Sequence, residues 1–112
     1  MRVFISARSI DDADHKKQVE ALCKAVKNAR LKDFCFVRDV EHYERTFDDP
    51  KQKWDRVRDE IGASDMLLVD VSDHPTGERA IEAGIARAMR KPIIVTQKLG
   101  TTHKQLFDGV AS

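Results

Sequence analysis

Short, uninterrupted apolar runs alternate along this chain with longer stretches in which apolar residues return every three or four positions. Val3, Phe4 and Ile5 make the first run, inside Arg2 to Ser6, and predict a compact strand. Val19, Leu22, Cys23 and Val26 then recur at helical spacing. Asp11, Asp12 and Asp14 place negative charge at the positive end of that helix, which is expected from Asp12 to about Asn28. Phe34 to Val37 is the second strand-like run. Arg38 to Asp49 is polar, lacks periodicity and ends at Pro50, which predicts a long surface loop. Trp54, Val57 and Ile61 fall at i, i+3 and i+7 of a second helix ending at Gly62. Met66 to Val71 is the third strand. Thr76-Gly77 opens a third helix with Ile81, Ile85, Ala88 and Met89 on one side, stopped at Lys91-Pro92, and Pro92 to Thr96 is the fourth strand. A last short helix is expected over roughly Thr102 to Gly109.

Strands that are apolar throughout, rather than alternating, must be covered on both faces, and helices lie between them in the chain. The expected architecture is an α/β three-layer sandwich of flavodoxin-like or Rossmann-like type. Its parallel sheet would have four to five strands, ordered 2-1-3-4 when the crossovers are right-handed. One domain, residues 1–112, accommodates all of this, and no internal repeat is visible.

Composition narrows the partners. Twenty Lys and Arg against nineteen Asp and Glu give a net charge of +1, without the one-sided basic footprint of a protein that grips a nucleic-acid polymer. No run approaches the roughly 20 apolar residues of a membrane span, and Val3 to Ile5 is too short for a signal-peptide core, so a cytoplasmic protein is expected. Cys23 and Cys35 lack CxxC spacing and sit among apolar neighbours, as reduced core thiols do. His15, His42, His74 and His103 are scattered without metal-ligand spacing, so neither a metal nor an organic cofactor is expected. Only His74, inside an acidic loop, has an alternative as a base-contacting group. Trp54 reads as core, since it begins a helical stripe.

In such a fold, ligands bind beyond the carboxyl ends of the strands, where strand order reverses. The residues there are Ser6-Ala7-Arg8-Ser9, Arg38-Asp39, Asp70-Val71-Ser72-Asp73 and Gln97-Lys98. Asp70 and Asp73 are close carboxylates, which can hold different pKa values. Pro75-Thr76-Gly77 offers free N–H groups at a helix start to an oxygen-rich ligand, although a plain helix cap with solvated acids gives the same string. Glu82 lies in a small, apolar neighbourhood, Ala80, Ile81, Ala83, Gly84 and Ile85, with the like charge of Glu78 one turn earlier. Unless it is simply exposed, something must compensate it.

Asp70-Val71-Ser72-Asp73-His74-Pro75-Thr76-Gly77, followed by Glu82-x-Gly84-x-Ala86 and Lys91-Pro92-Ile93-Ile94, resembles the nucleoside 2-deoxyribosyltransferase superfamily, which includes deoxynucleoside 5'-monophosphate N-glycosidases. Val3-Phe4-Ile5-Ser6-Ala7 resembles the family's first strand and substrate-binding turn. The resemblance implies that Glu82 attacks the anomeric carbon of a deoxyribose to form a covalent glycosyl-enzyme. Asp70, and after it Asp73, would protonate or orient the departing base. Transfer to a second base makes a transferase and transfer to water a hydrolase. Ser6, Ala7, Arg8, Ser9, Ser72, Thr76 and Gly77 are the expected substrate-binding residues, for a sugar hydroxyl or the 5'-phosphate of a nucleoside 5'-monophosphate.

The family's first-strand tyrosine is replaced here by Phe4 or Ile5, and Tyr43, the only tyrosine, follows strand two. A homodimer is expected from the family and from Ala80, Ala83 and Gly84, which permit close helix approach or equally pack within the chain. Two rivals share the architecture. Val3-Phe4-Ile5-Ser6 also resembles the opening of Toll/interleukin-receptor-like modules, which would make this a non-catalytic nucleotide-sensing or interaction domain. A phosphoacceptor receiver would use Asp11-Asp12, Asp70 and Lys98, but the acidic pair lies too far beyond strand one.

Overall fold

A computed structural model describes residues 1–7, 13–42, 48–70 and 77–96. Strand β1 (Arg2–Ser6) is followed by α1 (Ala13–Asn28), β2 (Lys32–Cys35), the single turn α2 (Phe36–Asp39), α3 (Pro50–Gly62), β3 (Met66–Asp70), α4 (Gly77–Ala88) and β4 (Ile93–Thr96). The four strands form one parallel sheet in the order β2-β1-β3-β4, as the apolar runs predict. Phe4 lies level with Phe34 on one side and Leu67 on the other, and Leu67 with Ile93. The expected last helix, Thr102 to Gly109, lies outside the described residues.

Successive strand residues face opposite sides of a sheet. Phe4, Leu67, Val69 and Ile93 therefore join Val57 and Ile61 of α3 and Ala83 and Ala86 of α4 in one core. Val3, Ile5 and Leu68 join Val19, Cys23 and Val26 of α1 in the other, where Cys23 and Cys35 are both buried free thiols. Both faces of the central strands β1 and β3 are covered, which explains their lack of polar alternation, whereas Ile94 on the edge strand β4 is exposed.

Two boundaries differ from the sequence reading. Phe36 and Val37 are not strand. The Asp39 carboxylate accepts from the Cys35 backbone N–H at 2.9 Å, and the Val40 and Glu41 N–H groups both donate to the Phe36 carbonyl, which turns the chain out of the sheet after Cys35. Arg38 reinforces the turn by pairing with Asp33 and Asp39, each at 2.8 Å. Arg38-Asp39 thus belong to a helical turn rather than a loop. Glu41, expected on the surface, is buried.

The other correction is the rotation of α4. Ile81 is 50% exposed and Ala88 is exposed, whereas Arg79, Glu82, Ala83 and Ala86 are buried. Ala83 and Ala86 let α4 lie close to the sheet, and Ile85 and Met89 of the expected stripe still pack against the same core. Ala83 belongs to the core and Ala80 packs against it, so two of the three small residues serve internal packing. Arg90, at φ 58°, ends the helix. Its N–H bonds the Arg87 carbonyl and the next N–H reaches back to Ala86, a left-handed C-terminal cap formed without glycine.

This packing predicts opposite responses on one helix. Ala83→Leu should destabilise by roughly 1–3 kcal/mol through overpacking, whereas Ile81→Ala should change stability by less than about 0.5 kcal/mol. Urea denaturation of both variants distinguishes this face from the reverse one, which would invert the order.

Candidate functional site

Ser6 shares the sheet face of Phe4, two residues earlier, and therefore points towards α4 from the last position of β1. Glu82 meets it there. The Ser6 hydroxyl donates to Glu82 Oε1 at 3.2 Å, Ser6 is fully buried and Glu82 is 7% exposed. Two residues assigned to a site from sequence, 76 positions apart, are thus brought into direct contact. Phe4 is buried in the core beside Phe34, with ring centroids 5.6 Å apart.

Burial pushes the Glu82 carboxyl up to about 8 from its ordinary value near 4.5. The Ser6 hydrogen bond opposes this by favouring the carboxylate, the nearby charge of Glu78 adds to it, Lys53 opposes it, and Glu41 adds to it again. Near neutral pH the resting carboxyl therefore carries its proton. Sequence alone indicated a need for compensation, and the structure meets it with a proton and one hydroxyl.

Glu82 forms part of a cleft whose apolar wall is Phe36, Val37, Trp54 and Val57 and whose charged side is Glu41, Lys53 and Glu78. The cleft has about 10 Å³ of free space, room for about one water molecule. Trp54 packs on the core, as expected, and also faces this cleft. The Lys53 ammonium lies 3.1 Å from Glu78 and 3.6 Å from Glu41.

Asp70 ends β3 and is buried. Strand alternation sets it on the side of Leu68, opposite the side from which Ser6 and Glu82 approach. Its backbone carbonyl accepts from Arg79 Nη1 at 2.7 Å, which ties the end of β3 to α4. Ala7 is buried beyond β1, and Gly77 is the first residue of α4. Arg8, Ser9, Ser72, Asp73 and Thr76 lie outside the described residues, as do Tyr43, His74 and Gln97-Lys98.

Arg79, Glu41 and Lys53 were missed as site residues. Arg79 precedes Glu82 by three and Ala83 by four, the spacing of a shared helix face, but the stripe was sought among apolar residues. Nothing local in the sequence joins Glu41 or Lys53 to Glu82, because only tertiary packing brings α3 and the turn after α2 against α4.

The Glu82 proton has a measurable consequence. Its pKa is raised on folding, so between about pH 4.5 and 8 the folded state holds a proton that the unfolded chain releases. The associated stability is complete below pH 4.5 and is lost as pH rises to about 8. Relative to Glu82→Gln, which keeps the neutral shape, the parent protein should lose about 10 °C of Tm between pH 5 and 8. Parallel melting curves over this range would contradict the protonated, buried carboxyl.

No protein-family model matches the sequence, and no curated protein is significantly similar to it. Solved structures are similar in fold. The 2-deoxyribosyltransferase of the psychrotolerant bacterium Bacillus psychrosaccharolyticus superposes with a TM-score of 0.80 at 12% identity, over 99% of this chain and 82% of that one. The CMP N-glycosidase BcmB of Clostridium botulinum does so with a TM-score of 0.70 at 22% identity, over 99% and 83%. The 2-deoxyribosyltransferase of Leishmania mexicana gives 0.66 at 17% identity, over 86% and 63%. With its parallel β2-β1-β3-β4 sheet, this chain shares the α/β fold of these 2-deoxyribosyltransferases and this N-glycosidase.

Proposed function

We propose that this protein cleaves or transfers the N-glycosidic bond of a nucleoside or nucleoside 5'-monophosphate, with Glu82 as the nucleophile. The observation that supports this most directly is the Ser6–Glu82 contact. It fixes a buried carboxyl at the carboxyl ends of the strands, in a fold shared with a 2-deoxyribosyltransferase and a CMP N-glycosidase.

In the first step a carboxylate oxygen of Glu82 bonds to the anomeric carbon while the carbon–nitrogen bond breaks. The base leaves with the bonding electrons and takes a proton from an acid. Asp70 is the first choice for that acid and Asp73 the second. Acting from opposite sides of the rim, Glu82 and Asp70 would flank a sugar lying across β1 and β3. In the second step water or an acceptor base attacks the same carbon, loses a proton to the acid's conjugate base, and the glycosyl–glutamate bond breaks to regenerate the carboxylate. Ala7, Arg8, Ser9, Ser72, Thr76 and Gly77 form the proposed sugar and phosphate contacts around this centre. Ser6 then holds the nucleophile rather than the substrate.

Because attack requires the Glu82 carboxylate and base departure a protonated acid, kcat/KM should follow a bell-shaped pH profile, with the Glu82 ionisation near pH 8 as one limb and that of the acid as the other. Base release from a panel of deoxynucleosides and their 5'-monophosphates, with and without acceptor base, should fall at least about 10³-fold in Glu82→Ala. Exchange without net release would identify a transferase. A panel-wide lack of turnover would contradict the proposal.

The second reading, a non-catalytic nucleotide-sensing or interaction domain of Toll/interleukin-receptor-like architecture, draws support from Phe4, since no phenol on β1 faces Glu82. Nucleotide binding that survives Glu82→Ala, without turnover by the parent protein, would favour it. In either reading we place a single domain in the cytoplasm as a homodimer. The exposed face of Ile81, Gly84 and Ala88 supports the dimer, as a methyl group at Gly84 would meet nothing. Among the described residues no helix is long and apolar enough to cross a membrane.

A further inference from the structure

Lys53 has no part in the glycosidic chemistry just described, yet it is held inward. Its side chain is 14% exposed and that of its partner Glu41 only 5%. Drawing such a pair out of water is costly, and its net contribution to stability is weak, so a role other than stability deserves consideration. The surroundings suggest one. Three carboxyls converge on the cleft: Glu41 from the turn after α2, Glu78 from the first turn of α4, and Glu82 one turn later. From β1 comes only the neutral Ser6, and the Asp70 side chain at the end of β3 stands on the other side of the sheet. Lys53 is the only cation among the described residues lining the cleft. Glu78 stands at the solvent edge, 41% exposed, whereas Glu41 and Glu82 are buried, and crowded buried carboxyls do not both ionise unless a positive charge sits beside them.

We propose that Lys53 is a positioning residue for the nucleophile: it draws Glu41 and Glu78 onto its own ammonium and is the counter-charge against which the Glu82 carboxylate forms. The kinetic consequence rests on the glycosidase reading, whereas the ionic one does not. Lys53→Met removes the cation and frees two negative charges, so Glu82 should ionise about one pH unit higher. Glu78→Gln removes a negative neighbour and should move it lower. Lys53→Arg keeps the charge and should restore the parent behaviour.

The decisive experiment follows the side-chain carboxyl carbons of 13C-labelled glutamate by NMR from pH 5 to 10, with the Glu82 signal assigned by its loss in Glu82→Gln. The expected result is a midpoint raised by about one unit in Lys53→Met, lowered in Glu78→Gln and unchanged in Lys53→Arg. In parallel, kcat/KM of Lys53→Met at pH 7 should fall about tenfold, the kinetic equivalent of one pKa unit. If Lys53→Met does not fold, the downward shift in Glu78→Gln carries the test. Midpoints unmoved in folded Lys53→Met and Glu78→Gln would overturn the proposal, even if base release proceeds. Absence of base release with the midpoints shifted would instead overturn the glycosidase reading and leave Lys53 in its role.

Discussion

A carboxyl taken out of water must either find donors and positive charge or keep its proton, and the architecture around Glu82 is organised by that requirement. Helix α4 can bury Glu82 only because Ala83 and Ala86 let its backbone approach the sheet, and because Ser6 ends β1 on the face that α4 covers. Arg79, on the same helix face, binds the carbonyl at the end of β3, so α4 is fastened to both central strands at the rim where ligands of such folds bind. The cost of burying Glu82 is met by its proton at rest and by Ser6 and Lys53 when it ionises. The stability gained at low pH and the reactivity proposed at high pH are therefore two consequences of a single titration.

The sheet was legible in the sequence because a parallel strand covered on both faces leaves a continuous apolar run. Val3 to Ile5 and Met66 to Val69 have no other comfortable place, and Ile93 to Val95 extends the same pattern to the edge strand, where Ile94 is left exposed. The failures share a cause. Phe36 and Val37 are as apolar as a strand, but the Asp39 carboxylate captures the Cys35 N–H and bends the chain, a contact between side chain and backbone that hydrophobicity does not register. On α4 the periodicity places Ile81, Ile85, Ala88 and Met89 on one side; Ile85 and Met89 do pack against the core, but close packing leaves Ile81 and Ala88 in solvent and buries Arg79 and Glu82.

The site was half legible. Glu82 was conspicuous as a charge among small apolar residues, and Ser6 as the last residue of a first strand, so their meeting was foreseeable from the topology of β1, β3 and α4. Glu41 and Lys53 were not, since each looks like an ordinary surface charge until α3 folds against α4. Similarity to solved structures at 12–22% identity reflects the same division. A layered fold constrains where a site lies far more tightly than which residues fill it.

The most direct measurement is to look for the bond itself. Incubation with 2-fluorinated deoxynucleosides and their 5'-monophosphates, in which the electron-withdrawing fluorine slows both steps while a good leaving base keeps the first one fast, should accumulate the covalent intermediate. Peptide mass spectrometry should then place one glycosyl group on Glu82, absent from Glu82→Gln. Release of base with every glutamate unmodified, or with the sugar attached elsewhere, would contradict Glu82 as the nucleophile.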